Sequence, residues 1–208
     1  MIFQLDERPI FPDPELAEPD GLLAIGGDLS TQRLLNAYKK GIFPWYSNKE
    51  PILWYSPHER FVLFPQELKV SKSMKQVLHS QQFKVTFDQD FLGVINACAT
   101  IFRSGQKGTW ITPNMEKAYW ELHKQGKAHS IEVWQNGALV GGLYGIKLTR
   151  VFCGESMFSK VSNASKIALV ALCQQKNYEL IDCQMHTDHL ESMGAKMISR
   201  TEFETFLT

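Results

Sequence analysis

Two polar side chains interrupt an apolar run late in the chain, Asp182 and Gln184 in Leu180-Ile181-Asp182-Cys183-Gln184. In a regular strand, positions two apart share a face, so the pair is expected to project together while Ile181 and Cys183 point the other way. A carboxylate and an amide side by side in an apolar strand are costly to bury without partners. Two readings follow. They are satisfied structural polars near a strand end, or they orient and activate a reacting group. Glu155 is the second such residue, inside Val151-Phe152-Cys153-Gly154-Glu155-Ser156-Met157-Phe158-Ser159. Alternation places Cys153 and Met157 on its face and Phe152 and Phe158 on the other, and a carboxylate there needs a cationic or hydrogen-bonding partner. A core salt bridge and a functional role are both open to it.

Other constellations are weaker. Cys183, His186 and His189 are potential zinc ligands by type, but C-x-x-H-x-x-H is not a standard finger and no second cluster completes the set, so no metal is expected. A Cys-His nucleophile pair at the same place is no stronger, because Cys183 is expected to face away from Asp182 and Gln184. Gly141, Gly142 and Gly145 lie within one strand, where glycine marks a bulge, a close ligand or a packed helix. Phe43, Trp45, Tyr46, Trp54 and Tyr55 could stack on a base, although core packing is the commoner use of such rings. Lys69, Lys72 and Lys75 could touch phosphates or simply form a solvated helix face.

The elements that must carry these residues follow from periodicity. Residues 1–58 are rich in proline, glycine and aromatics and are expected to form a small N-terminal domain, with one helix from Ser30 to Lys40 ended by Gly41. Residues 59–208 alternate: a strand at Arg60–Phe64, a helix from Ser71, a strand at Phe83–Phe87, and helices opened by Asp90 and by Thr112-Pro113. Then come three strands, His129–Trp134, Ala138–Ile146 and Val151–Ser159, the first two joined by an Asn136-Gly137 turn. A helix from Asn163, the strand Leu180–Gln184, a short helix near Asp188 and a terminal strand region after Lys196 complete the order. Meander, helix, strand, helix, strand is the pattern of an α+β fold with a mixed α/β sheet.

Composition excludes several classes. Lys+Arg and Asp+Glu number 22 each, so there is no global field for nucleic acid or an anionic membrane, and any RNA partner must be held locally. No window has the roughly 18 apolar residues of a membrane span. The first eight residues lack the basic start and apolar core of a signal peptide, and the four cysteines show no C-x-x-C spacing, which favours reduced thiols and the cytoplasm.

Several segments together resemble one family, the leucyl/phenylalanyl-tRNA–protein transferases. They are Gly21–Leu29, Ala37-Tyr38 with Gly41–Trp45, Ile52–Pro57, Gly108–Thr112, Ala128–Trp134, Leu139–Gly145, Phe152–Ser159, Asn163–Lys166 and Leu180–Gln184, in order over nearly the whole chain. The resemblance implies a GNAT-like acyltransferase domain that uses no acetyl-CoA and no metal, and an enzyme that acts as a cytoplasmic monomer. Its reaction would move Leu or Phe, and Met less well, from aminoacyl-tRNA to the α-amino group of proteins beginning with Lys or Arg, marking them for degradation. Carried over residue by residue, it implies Asp182 and Gln184 as the catalytic pair, with Glu155 as a third catalytic residue. Leu143, Phe152, Met157, Leu172 and Ile181 would form the amino-acid pocket. Trp45, Trp110, Tyr119 and Tyr38 would lie at the tRNA 3′-adenosine, and Lys72 and Lys75 at its backbone. Lys72 and Gln76 stand where the family often has arginines, and lysine lacks the bidentate phosphate geometry. In the implied mechanism Gln184 orients the incoming amine, and Asp182 holds Gln184, favours positive charge on the nitrogen and helps remove its proton. Glu155 pairs with the acceptor's cationic side chain or orders the site. An acetyl-CoA-dependent acetyltransferase is the rival enzyme, disfavoured because Ser159-Lys160-Val161-Ser162-Asn163 has no glycine for a pyrophosphate loop. A non-catalytic RNA-binding module is the rival of another class.

Overall fold

The computed structural model describes residues 2–102 and 109–207. The polar loop Arg103–Gly108, and with it the first residue of the Gly108–Thr112 segment, lies outside them.

Two sheets divide the chain. The first has four short strands, β1 (Phe3–Leu5), β2 (Leu22–Gly26), β3 (Phe43–Pro44) and β4 (Leu53–Tyr55), in the order β1-β2-β4-β3, with β1 and β2 parallel. Sequence reading finds none of them, only the helix α1 (Thr31–Tyr38), capped by Ser30, whose hydroxyl accepts from the Arg33 amide. Strands of two to five residues show too few alternations to register.

The second sheet has seven strands. They are β5 (Glu59–Leu63), β6 (Lys84–Phe87), β7 (Ala128–Gln135), β8 (Ala138–Lys147), β9 (Val151–Ser159), β10 (Leu180–Gln184) and β11 (Lys196–Ser199), in the order β11-β5-β10-β9-β8-β7-β6. Asn136 and Gly137 both take positive φ, 51° and 78°, the requirement of a two-residue hairpin whose twist matches its strands. All neighbours are antiparallel except β9 and β10, which run parallel. A parallel pair needs a crossover, and α5 (Ala164–Gln174) supplies it. A Cβ on Gly141 would overlap the Ala164 side chain, so that strand glycine lets the start of α5 press on the sheet.

The remaining helices are α2 (Lys72–His79), α3 (Phe91–Thr100), α4 (Pro113–Lys124), α6 (Asp188–Ser192) and α7 (Arg200–Glu204). Adjacent residues feed opposite faces of the large sheet. Val62 and Cys153 join a core with residues of α3, α4 and the N-terminal unit, while Phe61 and Phe152 join one with residues of α2 and α5. The first core runs from Leu23, Leu34, Tyr38 and Trp54 through to Tyr119 and Tyr144, so the N-terminal unit and the large sheet share one apolar body. The expected terminal strand region is β11, four residues only, followed by the unforeseen α7, which Ser199 caps on the Glu202 amide. That helix returns to the N-terminal unit. The Arg200 guanidinium donates to the Ser56 carbonyl at 3.1 Å and lies 3.0 Å from the Glu15 carboxylate. Among the described residues no helix is long and apolar enough to cross a membrane.

Candidate active site

The parallel strands β9 and β10 pair over three residues and then part. Leu180, Ile181 and Asp182 face Val151, Phe152 and Cys153, and pairing stops there. Each strand carries a one-residue bulge just beyond. Tyr144 and Gly145 of β8 are opposed by Ser156 and Gly154, which leaves Glu155 as the extra residue. Val62 and Phe61 of β5 are opposed by Asp182 and Gln184, which leaves Cys183 as the extra residue. Bulges re-aim side chains, and these two overturn the alternation argument at Asp182 and Gln184 and half of the one at Glu155, where Met157 shares the cavity and Phe158 the opposite core as expected. Ile181, Cys183 and Gln184 all line the cavity that opens at the parting, while Asp182 is directed to the opposite face. Phe152, expected to face away from Glu155, lines that cavity with it, while Cys153 joins the opposite core. The turn into Gln184 is a left-handed residue, φ 57°, held by its amide donating to Asp182 Oδ1 at 2.9 Å.

Asp182 is wholly buried and bound to Arg60 through both oxygens, Nε to Oδ1 at 2.8 Å and Nη2 to Oδ2 at 2.7 Å. The Arg60 Nη1 donates to the Gly41 carbonyl at 3.0 Å, and the guanidinium lies over Phe43 at 4.6 Å and Phe203 at 4.8 Å. Burial works against that charge, but the Asp182 carboxylate outweighs it and raises the guanidinium's pKa. Sequence reading counts Arg60 only as the start of a strand. The available signal was a cation opening an apolar run, with no partner nearby in sequence to prompt a pairing with Asp182.

Glu155 is nearly as buried, 9% exposed, but it faces the cavity. Its Oε1 accepts from Gln184 Nε2 at 3.3 Å and its Oε2 from the Tyr119 hydroxyl at 2.8 Å. Because Tyr119 donates to Glu155, the hydrogen bond between the Tyr38 and Tyr119 hydroxyls has Tyr38 as donor. Burial pushes the Glu155 carboxyl up to about 7. The Tyr38 and Tyr119 hydroxyls pull it down, Asp182 pushes it up, and Arg60 pulls it down. Burial, with the Glu155 charge, holds both phenols well above the usual tyrosine range.

The cavity encloses about 660 Å³. Leu143, Phe152, Met157, Leu172 and Ile181 all line it, as does Leu169, an addition to the expected set. Trp45 and Trp110 line it too, with Phe43 and Pro44 beside them. Tyr38 and Tyr119 do not. Both are fully buried behind Glu155, so neither offers a ring face to a nucleoside. Helix register from α1 and α4 aims their hydroxyls inward instead. Lys72 and Lys75 are exposed on α2. Of the aromatic cluster, Trp54 and Tyr46 are core, Trp54 donating to the Gly26 carbonyl at 3.0 Å. Cys183, His186 and His189 form no ligand set among the described residues. The Cys183 thiol is turned back on the Ile181 carbonyl, its pKa pushed up by burial, and His186 groups at the surface with Asp188 and Glu191.

Geometry therefore offers one cavity lined by apolar side chains, by an amide and a carboxyl bonded to each other, and by the indoles of Trp45 and Trp110. Residues 62–208 match the family model described as Leucyl/phenylalanyl-tRNA protein transferase, and residues 27–58 match that of its N-terminal domain. The chain is similar to a leucyl/phenylalanyl-tRNA–protein transferase of Hydrogenovibrio crunogenus, 56% identical over 99% of this chain and 82% of that one. It is equally similar, 56%, to one of Flavobacterium johnsoniae over 95% and 94%. Among solved structures, a GCN5-related N-acetyltransferase from Kribbella flavida covers 78% of this chain and 58% of its own at 10% identity and a TM-score of 0.39, a likeness that carries no weight beside the sequence matches. From matches along both parts of the chain, it follows that this protein belongs to the leucyl/phenylalanyl-tRNA–protein transferase family.

Proposed function

We propose that the chain transfers Leu or Phe, and Met less well, from aminoacyl-tRNA to the α-amino group of proteins that begin with Lys or Arg. The modified N-terminus then marks them for degradation, and the enzyme works as a cytoplasmic monomer. The single observation that carries the reading, beside family membership, is the cavity whose largely apolar lining includes the hydrogen-bonded pair Gln184 and Glu155. In this reading the apolar lining, Leu143, Phe152, Met157, Leu172 and Ile181, takes the carried side chain. A pocket of that kind separates substrates differing by a methylene by only about 1–3 kcal/mol, which suits one enzyme for Leu, Phe and Met. Trp45 and Trp110 stack on the terminal adenosine, and Lys72 and Lys75 meet the tRNA backbone.

The aminoacyl ester is already activated, so positioning does most of the work. An α-amine has a pKa of about 7.7–8.0, leaving an appreciable neutral fraction at neutral pH. Gln184 accepts a hydrogen bond from that amine and directs its lone pair to the ester carbonyl. Asp182 does not reach the reacting atoms. It fixes Gln184 through the main-chain amide and the Arg60 pair, and is a positioning residue. Transfer of radiolabelled Leu from charged tRNA to peptides starting with Lys, Arg or Ala tests the reading. Transfer to the first two and not the third is expected, and no transfer to any of them defeats it.

A further inference from the structure

Aminolysis of an ester moves one proton twice, off the attacking nitrogen and on to the departing ribose oxygen. Resting on the transfer reaction proposed above, we propose that Glu155 carries that proton, taking it from the attacking α-amine and delivering it to the leaving oxygen of the terminal ribose.

Position singles out this carboxyl. Among the described residues lining the cavity, Glu155 is the one carboxylate, whereas Asp182 lies on the far face with both oxygens held by Arg60. The two oxygens of Glu155 are not equivalent. Oε2 is backed by the Tyr119 hydroxyl, which is itself backed by Tyr38. Oε1 meets the Gln184 amide, the group that orients the amine, and keeps a second acceptor site in a side chain that lines the cavity. Four elements act on the Glu155 charge: Tyr38 of α1 and Tyr119 of α4 through their hydroxyls, and, from the far face, Asp182 of β10 and Arg60 of β5 through their charges. Both phenols keep their protons, so they donate and leave the carboxyl as the acceptor. A carboxyl poised at about 7 is populated in both forms near neutrality, the condition for one group to act first as base and then as acid.

The step balances without another reactant. The nitrogen lone pair forms the C–N bond while the carbonyl π pair moves to oxygen, and the proton on nitrogen passes to Oε1. The pair on oxygen then re-forms the carbonyl, the C–O bond to the ribose breaks, and the same proton goes from Glu155 to the ribose oxygen. The carboxylate is restored as the amide and the free tRNA form.

The test follows kcat and KM for Leu transfer to an Arg-starting peptide across about pH 5.5–8.5, with Glu155→Gln, Glu155→Asp and Tyr119→Phe beside the unaltered protein. Expected for Glu155→Gln is a kcat loss of about 10²–10⁴-fold, peptide KM within about threefold, and disappearance of the limb near pH 7. Glu155→Asp retains the limb at reduced kcat. Tyr119→Phe moves the limb to higher pH, because the hydrogen bond that lowers the carboxyl's pKa is gone, and a purely structural role would leave it in place. The inference falls if Glu155→Gln keeps both kcat and the limb. It also falls if that variant only raises KM for the Arg-starting peptide and not for a citrulline-starting one, which would make Glu155 a reader of the acceptor's charge. Absence of any transfer by the unaltered protein defeats the reaction and this inference together. Transfer with an indifferent Glu155→Gln defeats this inference alone.

Discussion

Asp182 and Glu155 stand on neighbouring strands, are both buried, and sit beside a bulge, yet they live in opposite conditions. Asp182 faces the core shared with the N-terminal unit and has a full positive charge on both oxygens. Glu155 faces a cavity and has only neutral donors, an amide and a phenol, on its oxygens. A carboxylate gripped on both oxygens by an arginine fork serves as an anchor. A carboxylate with neutral donors is held in place but left free to change its charge. What separates the two is one inserted residue in each strand.

The contrast breaks first on the anchor. Arg60→Met leaves Asp182 buried and unpaired, and removing one partner of such a pair costs about 3–5 kcal/mol. For a chain of this size that is a fall of roughly 6–20 °C in Tm by thermal denaturation. Arg60→Met combined with Asp182→Leu should lose less than the two single changes added together, since the pair acts as a unit. A fully additive result would mean that Asp182 and Arg60 do not depend on each other.

Glu155 predicts the next effect, visible in stability rather than activity. Its folded pKa of about 7 lies above the 4.5 of an unperturbed glutamate, so between those values the folded state binds more protons than the unfolded. Stability contributed by the neutral carboxyl is complete below about pH 4.5 and is lost as pH rises through about 7, on the order of 3 kcal/mol. Glu155→Gln should therefore gain on the unaltered protein as pH rises across that window in denaturant melts. Parallel curves would mean that the Glu155 carboxyl does not change its charge across that window.

Trp45 is 41% exposed. Trp45→Ala should leave stability within about 1 kcal/mol while aminoacyl-tRNA affinity falls roughly 5- to 150-fold, the 1–3 kcal/mol of a lost base stack. The smallest effect is expected at the bulge itself. Gln184→Gly relieves a left-handed residue and should raise stability by up to about 1 kcal/mol. Loss of its amide should lower transfer about tenfold. A less stable glycine variant would mean that the side chain, not the backbone, holds the bend.

Much of the large sheet is legible in the sequence, since β7, β8 and β9 are long enough to alternate and Asn136-Gly137 dictates the turn between the first two. The residues of the site are legible by type, because Asp182, Glu155 and Gln184 are polar groups in apolar strands. Their directions are not. A bulge at Glu155 or Cys183 has no compositional mark, yet one residue of slip exchanges the two faces of a strand. Arg60 finds Asp182 across 122 positions of sequence, and Tyr38 finds Tyr119 across 81, separations at which periodicity says nothing. The small N-terminal sheet escapes for the opposite reason, its strands being too short to carry a pattern.

The Arg60 guanidinium meets the chain at Gly41, Phe43, Asp182 and Phe203. One side chain thus ties the N-terminal unit, β10 and α7 together beside the residue that fixes Gln184, so a strain on any of the three is felt at the site.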